Sequence, residues 1–223
     1  MLTAIIVAGG SSRRMGFDKL FAPIAGQPVL AHTLRAFEET QSVERLILVG
    51  HAERLTDLQD LVSAYGVRKV SAIVPGGARR QDSVGCGLAA VEDACDYVAV
   101  HDAARALVRP ELIERIFQAA RTHGGAASGA PVIDTLKRVD DRRHVIGGVD
   151  RSNLFAVETP QIFRREVLER GFCFIAENNL EVSDEISAVE KIGGTVMLVP
   201  NESANFKITY PADLALAEFF LRR

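Results

Sequence analysis

The stretch "IIVAGGSSRRMGFDKLF", residues 5–21, runs from an unbroken apolar segment into two glycines, two serines, two arginines and a lysine. A continuous β-branched run of this kind reads as a strand buried on both faces. Gly9 and Gly10 follow at once, where a backbone without a Cβ can bring its N–H groups close to a ligand. Ser11 and Ser12 add small donors. Arg13, Arg14 and Lys19 can neutralise phosphate oxygens, arginine as a bidentate fork and lysine as a point charge. The loop matches neither the G-x-x-x-x-G-K-[ST] phosphate loop nor the G-x-G-x-x-G dinucleotide fingerprint. A surface turn with solvated charges would be built from the same residue types. Three cations so close behind a first strand favour a cradle for a polyanion.

Working outward, the same design recurs. Apolar runs at 3–8, 45–50, 69–74 and 97–102 alternate with amphipathic segments at 28–38, 53–65, 81–93 and 110–121. Pro28 reads as a first-turn residue of the first of these helices, and Pro110 opens the last. This rhythm predicts an α/β fold with parallel strands, right-handed crossovers and ligands at the carboxyl ends of the strands. The third strand runs into "PGGARRQDSV" (75–84), with two glycines, Arg79 and Arg80, and Ser83 at a helix start. The fourth ends in "VHDAARALV" (100–108), where Asp102 and Arg105 stand together. Asp102 alone reads equally well as a turn cap. Three strand ends carrying small residues and cations are harder to obtain from a solvated surface.

From residue 125 the pattern changes. Residues 125–163 are rich in Gly, Pro and Asp, with short β-like pieces near 136–139, 144–149 and 155–158. Asp140 to Arg143 is a polar turn, so a hairpin is expected to project from the body. Helices near 164–176 and 184–192, a strand at 195–200 and a helix from 211 complete the reading. Thr135, Lys137, Arg151, Thr159, Ser183 to Glu185 and Lys207 are polar points in this half. Each alone reads as a surface or capping residue. Asp184 and Glu185 suit a helix start through the macrodipole, without any chemistry.

Composition sets the outer bounds. The chain has 223 residues, 48% hydrophobic and 25% charged, with a net charge of −3, so no global basic field invites a nucleic acid. Aromatic residues make up 6%, which leaves few platforms for stacking bases. Cys86, Cys95 and Cys173 are scattered and odd in number, as expected of a reducing, cytoplasmic compartment. No run approaches the ~20 apolar residues of a membrane span, and no signal peptide is expected.

The opening loop resembles the nucleotide-binding signature of Rossmann-like nucleotidyltransferases. The motifs "GQPVLAHTLRAF", "GGARRQDSVGCGL", "VHDAAR", "APVIDTLKRV", "VDRSNLFAVETPQIF", "VSDEISAVE" and "NFKITYPADLALAE" resemble, in order and over nearly the whole chain, the 2-C-methyl-D-erythritol 4-phosphate cytidylyltransferase family. The resemblance implies a Rossmann-like three-layer α/β/α domain over residues 1–223 with a mostly parallel twisted sheet. It also implies a β-hairpin arm at about 133–158 that crosses to a second subunit of a homodimer. It implies CTP and methylerythritol phosphate as substrates, pyrophosphate as the by-product of this step of isoprenoid precursor synthesis, and Mg²⁺ held largely by the nucleotide phosphates. Arg14 and Lys19 match residues that stabilise charge on the reacting phosphates. Backbone at Ala8, Gly9, Gly10 and Gly77, with Ser83, would hold the nucleotide. Asp102, Arg105, Thr135, Arg151, Thr159 and Lys207 match the acceptor pocket, with Arg151 and Lys207 holding the nucleophilic phosphate. The short "GFDK" loop, residues 16–19, resembles instead the molybdenum-cofactor guanylyltransferases, which stand as the alternative enzyme. A nucleotide-binding module without catalysis is the alternative of another class.

Overall fold

Strand β1 (Leu2–Val7) is apolar on both faces because both are covered: Leu2, Ala4, Ile5 and Ile6 are fully buried. In the computed structural model, which describes residues 1–10 and 15–222, β1 is a central strand of a seven-stranded sheet. It pairs in parallel with β4 (Val43–Gly50) and β6 (Tyr97–Asp102). β5 (Val70–Pro75) forms one edge beside β4. On the other side lie β10 (Phe155–Arg164), β7 (Gly125–Pro131) and β11 (Met197–Pro200), giving the order β11-β7-β10-β6-β1-β4-β5. β10 runs antiparallel to both neighbours, and the remaining pairings are parallel.

The alternation of side chains along the strands divides the core into two layers. Ala4 and Ile6 of β1 and Leu46 and Leu48 of β4 face α1 (Val29–Glu39), α2 (Leu55–Ala64), α4 (Pro110–His123) and α7 (Pro211–Leu221). Ile5, Ile47 and Val100 face α3 (Arg80–Ala89), α5 (Arg165–Glu177) and α6 (Glu185–Lys191). The three-layer α/β/α expectation is met, and no described helix is long and apolar enough to cross a membrane.

Several local expectations are corrected. Pro28 caps α1 rather than entering it, and belongs to a small hairpin of β2 (Pro23–Ile24) and β3 (Gln27–Pro28). α2 is preceded by a 3₁₀ turn over Ala52–Arg54, and α3 ends at Ala89. β7 lies in a stretch that reads only as rich in Gly, Pro and Asp. Its sequence, GAASGAP, has few strand-forming residues, but a side chain on Gly125 would come within 2.7 Å of Phe163 on β10. Packing against that ring requires a glycine at position 125, and there tertiary context overrides propensity. The β-like piece at 155–158 extends to Arg164, because its second half pairs with β6 in the core.

Between β7 and β10 the predicted hairpin is present: β8 (Lys137–Val139) pairs antiparallel with β9 (Val145–Gly148). Its turn is tied by Asp140 Oδ1, which accepts from the N–H groups of Arg142 and His144. The hairpin exposes apolar residues; Ile133 at its base is 81% exposed and Ile146 66%.

Candidate active site

The loops after β1, β5 and β6 converge on one cleft of about 230 Å³ at the carboxyl ends of the strands. Ala8, Gly9 and Gly10 form one wall, Gly77 to Arg80 and Ser83 another, and Asp102 and Ala104 the floor, with Lys19 and Lys207 reaching in. Backbone bonds fix the walls: Ala8 N–H donates to Val49 O at 2.7 Å, and Gly76 N–H to Gly50 O at 2.8 Å. Ser83 shapes its own wall. Its hydroxyl accepts from Gly77 N–H at 3.2 Å and donates to Arg79 O at 3.2 Å. A Cβ on Gly76 would come within 2.6 Å of that hydroxyl, and one on Gly77 would fall onto the Cβ of Asp82. These glycines are required by close approach. The lining sets Lys19, Arg79, Arg80 and Lys207 against the single carboxylate of Asp102, a surface suited to a polyanion. Lys19 Nζ donates to Ile208 O at 2.7 Å, joining the opening loop to the tail.

A second chamber of about 520 Å³ shares Arg80, Asp102 and Lys207 with the first and adds Arg105, Glu158, Thr159 and the start of α6. The partition between them is a chain of ion pairs. Asp102 Oδ2 accepts from Lys207 Nζ at 2.9 Å and lies 3.7 Å from Arg105 Nε. Asp102 Oδ1 accepts from Arg80 Nε at 3.1 Å. Arg80 then grips Glu185 with both terminal nitrogens, at 2.7 and 3.1 Å. Burial pushes the Asp102 carboxyl up, but Arg80 and Lys207 outweigh it and hold the group well below the usual carboxylate range. Burial also opposes the charge on Arg80, yet Glu185 and Asp102 raise that guanidinium above its ordinary value. For Glu185, fully buried, desolvation raises the carboxyl and Arg80 offsets this only in part.

Beneath the partition, Thr159 is committed twice. Its hydroxyl accepts from Asp102 N–H at 3.0 Å and lies 3.1 Å from His101 Nδ1. His101 Nε2 lies 3.3 Å from Arg105 O, which can only accept, so Nε2 carries the proton and Nδ1 receives the threonine hydroxyl. Burial pushes the His101 pKa down to about 3. A depressed folded pKa gives stability that is complete above the unfolded value of about 6.5 and is lost as pH falls towards the folded value. Urea-unfolding midpoints should therefore decline from pH 6.5 towards pH 4, and a His101→Gln protein should show a flatter slope over that interval.

Of the sequence-predicted residues, Ala8, Gly9, Gly10, Lys19, Gly77, Ser83, Asp102 and Lys207 meet at the first chamber, and Arg105 and Thr159 at the second. Thr135 and Arg151 lie on the arm and line neither; Arg151 Nη1 donates to Ile133 O within it. Arg14 falls outside the described residues. Two residues gain roles that the sequence does not assign. Arg80 reads from sequence only as a loop cation, and it lines both chambers. Glu185 reads as a macrodipole residue, and it is the buried partner of Arg80. The helix start is capped by its neighbour Asp184, whose Oδ1 accepts from Ser187 N–H at 3.0 Å.

The family model of 2-C-methyl-D-erythritol 4-phosphate cytidylyltransferase matches residues 2–223. The chain belongs to this family. The curated cytidylyltransferase of that name from Dehalococcoides mccartyi is 39% identical over 99% of this chain and 96% of its own length. The one from Rubrobacter xylanophilus is 42% identical over 98% and 94%. Among solved structures, the cytidylyltransferase of Thermus thermophilus superposes with a TM-score of 0.80 at 30% identity, covering 100% of both chains. The 4-diphosphocytidyl-2C-methyl-D-erythritol synthase of Anaerococcus prevotii superposes with a TM-score of 0.87 at 25% identity, covering 100% of this chain and 98% of that one. As a 2-C-methyl-D-erythritol 4-phosphate cytidylyltransferase, the protein is a CTP-dependent nucleotidyltransferase of the methylerythritol phosphate pathway. The guanylyltransferase and the non-catalytic module find no support in these matches.

Proposed function

We propose that the first chamber takes the triphosphate of CTP and the second takes methylerythritol phosphate, within a single domain over residues 1–223. The observation that carries this reading is the shared partition, because Arg80, Asp102 and Lys207 line both chambers. A phosphate oxygen of the acceptor attacks the α-phosphorus of CTP in line. The new P–O bond forms as the bond to the β-phosphate oxygen breaks, and pyrophosphate leaves. The chemistry asks the protein for alignment and positive charge, with little covalent work. Backbone of Ala8, Gly9, Gly10 and Gly77, with Ser83, cradles the nucleotide. Arg14 and Lys19 offset charge on the reacting phosphates. Lys207, steadied by Asp102, presents the acceptor phosphate, with Arg105 and Thr159 around the polyol.

Mg²⁺ is supplied with the nucleotide. Among the described residues there is no group of three or more His, Cys, Asp or Glu side chains arranged to hold an ion, and Asp102 is already engaged by Arg80 and Lys207. Protein ligands alone therefore do not fit a resident metal, and the triphosphate oxygens would carry the ion. The acceptor site is completed by Thr135 and Arg151 on the arm of a second subunit in a homodimer. Support for this lies in the exposed apolar residues of the hairpin and in its separation from both chambers.

Pyrophosphate release should be measured with CTP, GTP, ATP and UTP, with and without methylerythritol phosphate. The expected result is release with CTP that depends on the acceptor. Release with GTP in preference, or release that ignores the sugar phosphate, would overturn the assignment of the two chambers.

A further inference from the structure

Glu158 lines the second chamber one residue before Thr159. Its Oε2 accepts three hydrogen bonds: from Ser128 Oγ at 2.8 Å, Asn201 Nδ2 at 2.9 Å and Asn205 Nδ2 at 3.1 Å. The three donors are themselves buried, on β7 and in the segment after β11. Asn205 further ties the region together. Its Nδ2 also reaches Thr159 O at 2.9 Å, and its backbone carbonyl accepts from Arg105 Nη1 at 2.8 Å. The carboxylate is thus held rigidly by one oxygen. The other, Oε1, has no hydrogen-bond partner among the described residues and is not sealed from solvent.

A half-buried carboxylate is an acceptor only, so a fixed, unpartnered oxygen in a binding chamber suits a hydroxyl donor. It also repels phosphate, whereas Lys207 on the same chamber attracts it. The chamber therefore offers both a cation for an anion and an open acceptor for a polyol hydroxyl. We infer that Glu158 accepts a hydrogen bond from a hydroxyl of the acceptor's polyol chain and selects for acceptors that carry it. This rests on the second chamber being the acceptor pocket. A site built to bond a substrate hydroxyl discriminates strongly against the analogue that lacks it, because its buried polar group is left without a partner.

The test uses methylerythritol phosphate and its three analogues lacking the hydroxyl at C1, C2 or C3, with the native enzyme and Glu158→Gln. The native enzyme should lose about 10- to 100-fold in kcat/KM with one analogue. In Glu158→Gln that penalty should shrink by about tenfold, since a charge-assisted bond becomes a neutral one, while KM for CTP stays unchanged. An undiminished penalty in Glu158→Gln would overturn the inference. If that variant does not fold, the native series still decides: acceptance of all three analogues within about threefold of the parent sinks it. Arg105→Ala separates this failure from the larger one. Should it leave KM for methylerythritol phosphate unchanged, the assignment of the pocket has failed.

Discussion

An Arg151→Ala protein is expected to turn over about 100-fold more slowly, the cost of removing one cation that meets the reacting phosphate, while KM for CTP stays the same. Co-expressed with a Lys19→Ala chain, it should recover about a quarter of native activity, because half the dimers are mixed and each holds one intact site. The arithmetic follows from arm exchange. In a mixed dimer, one cleft combines both defects, and the other combines a native Lys19 with a native Arg151. The structural grounds are that Arg151 lines neither chamber, that β8 and β9 pair only with one another, and that Ile133 and Ile146 are exposed on the hairpin. Native turnover by Arg151→Ala would end its role at the acceptor phosphate. Slow turnover with no recovery in mixed dimers would mean that each arm serves its own cleft.

How far the sequence could be read depended on the range of the interaction. β1, β4, β5 and β6 were legible because each is a short apolar run beside turn residues, and burial on both faces leaves that imprint locally. The glycines of the cleft were legible for a similar reason: Gly9, Gly10 and Gly77 all lie in the short loops that follow their strands. β7 was hidden because it is poor in strand-forming residues, and its glycine at 125 answers to Phe163, 38 positions further on, rather than to strand propensity. Glu185 was hidden by the same kind of distance. Its neighbour Asp184 accounts for the helix cap, and nothing near position 185 points to Arg80, 105 residues away. Glu158 and Asn205 carry no local pattern at all. Thr159 looked like a surface residue in isolation, yet it is 3% exposed and commits its hydroxyl to Asp102 and His101.

The pair of Arg80 and Glu185 sets up the largest expected change in stability. Arg80→Met keeps much of the side-chain volume but leaves the Glu185 carboxylate, 0% exposed, without its cation. Breaking a buried ion pair from one side costs about 3–5 kcal/mol, so the melting temperature should fall by roughly 10 °C for a chain of this length. The deficit should depend on pH in a defined direction. Burial already raises the Glu185 carboxyl in the native protein, and losing Arg80 raises it further. A carboxyl raised above its unfolded value of about 4.3 favours the fold fully below that pH and loses the contribution as pH rises through the folded value. The gap between variant and native protein should therefore be smallest in mild acid and widen towards neutrality. The double variant Arg80→Met/Glu185→Leu should regain most of the lost stability, since an apolar pair can replace a buried ionic one. It should not regain activity, because Arg80 also lines both chambers and bonds Asp102. Melting curves from pH 5 to 8 beside kcat/KM for both substrates separate the two roles. A single variant that melts like the native protein at neutral pH would show that the pair does not anchor α6 to α3. A double variant with native kcat/KM would show that the guanidinium of Arg80 serves the fold alone.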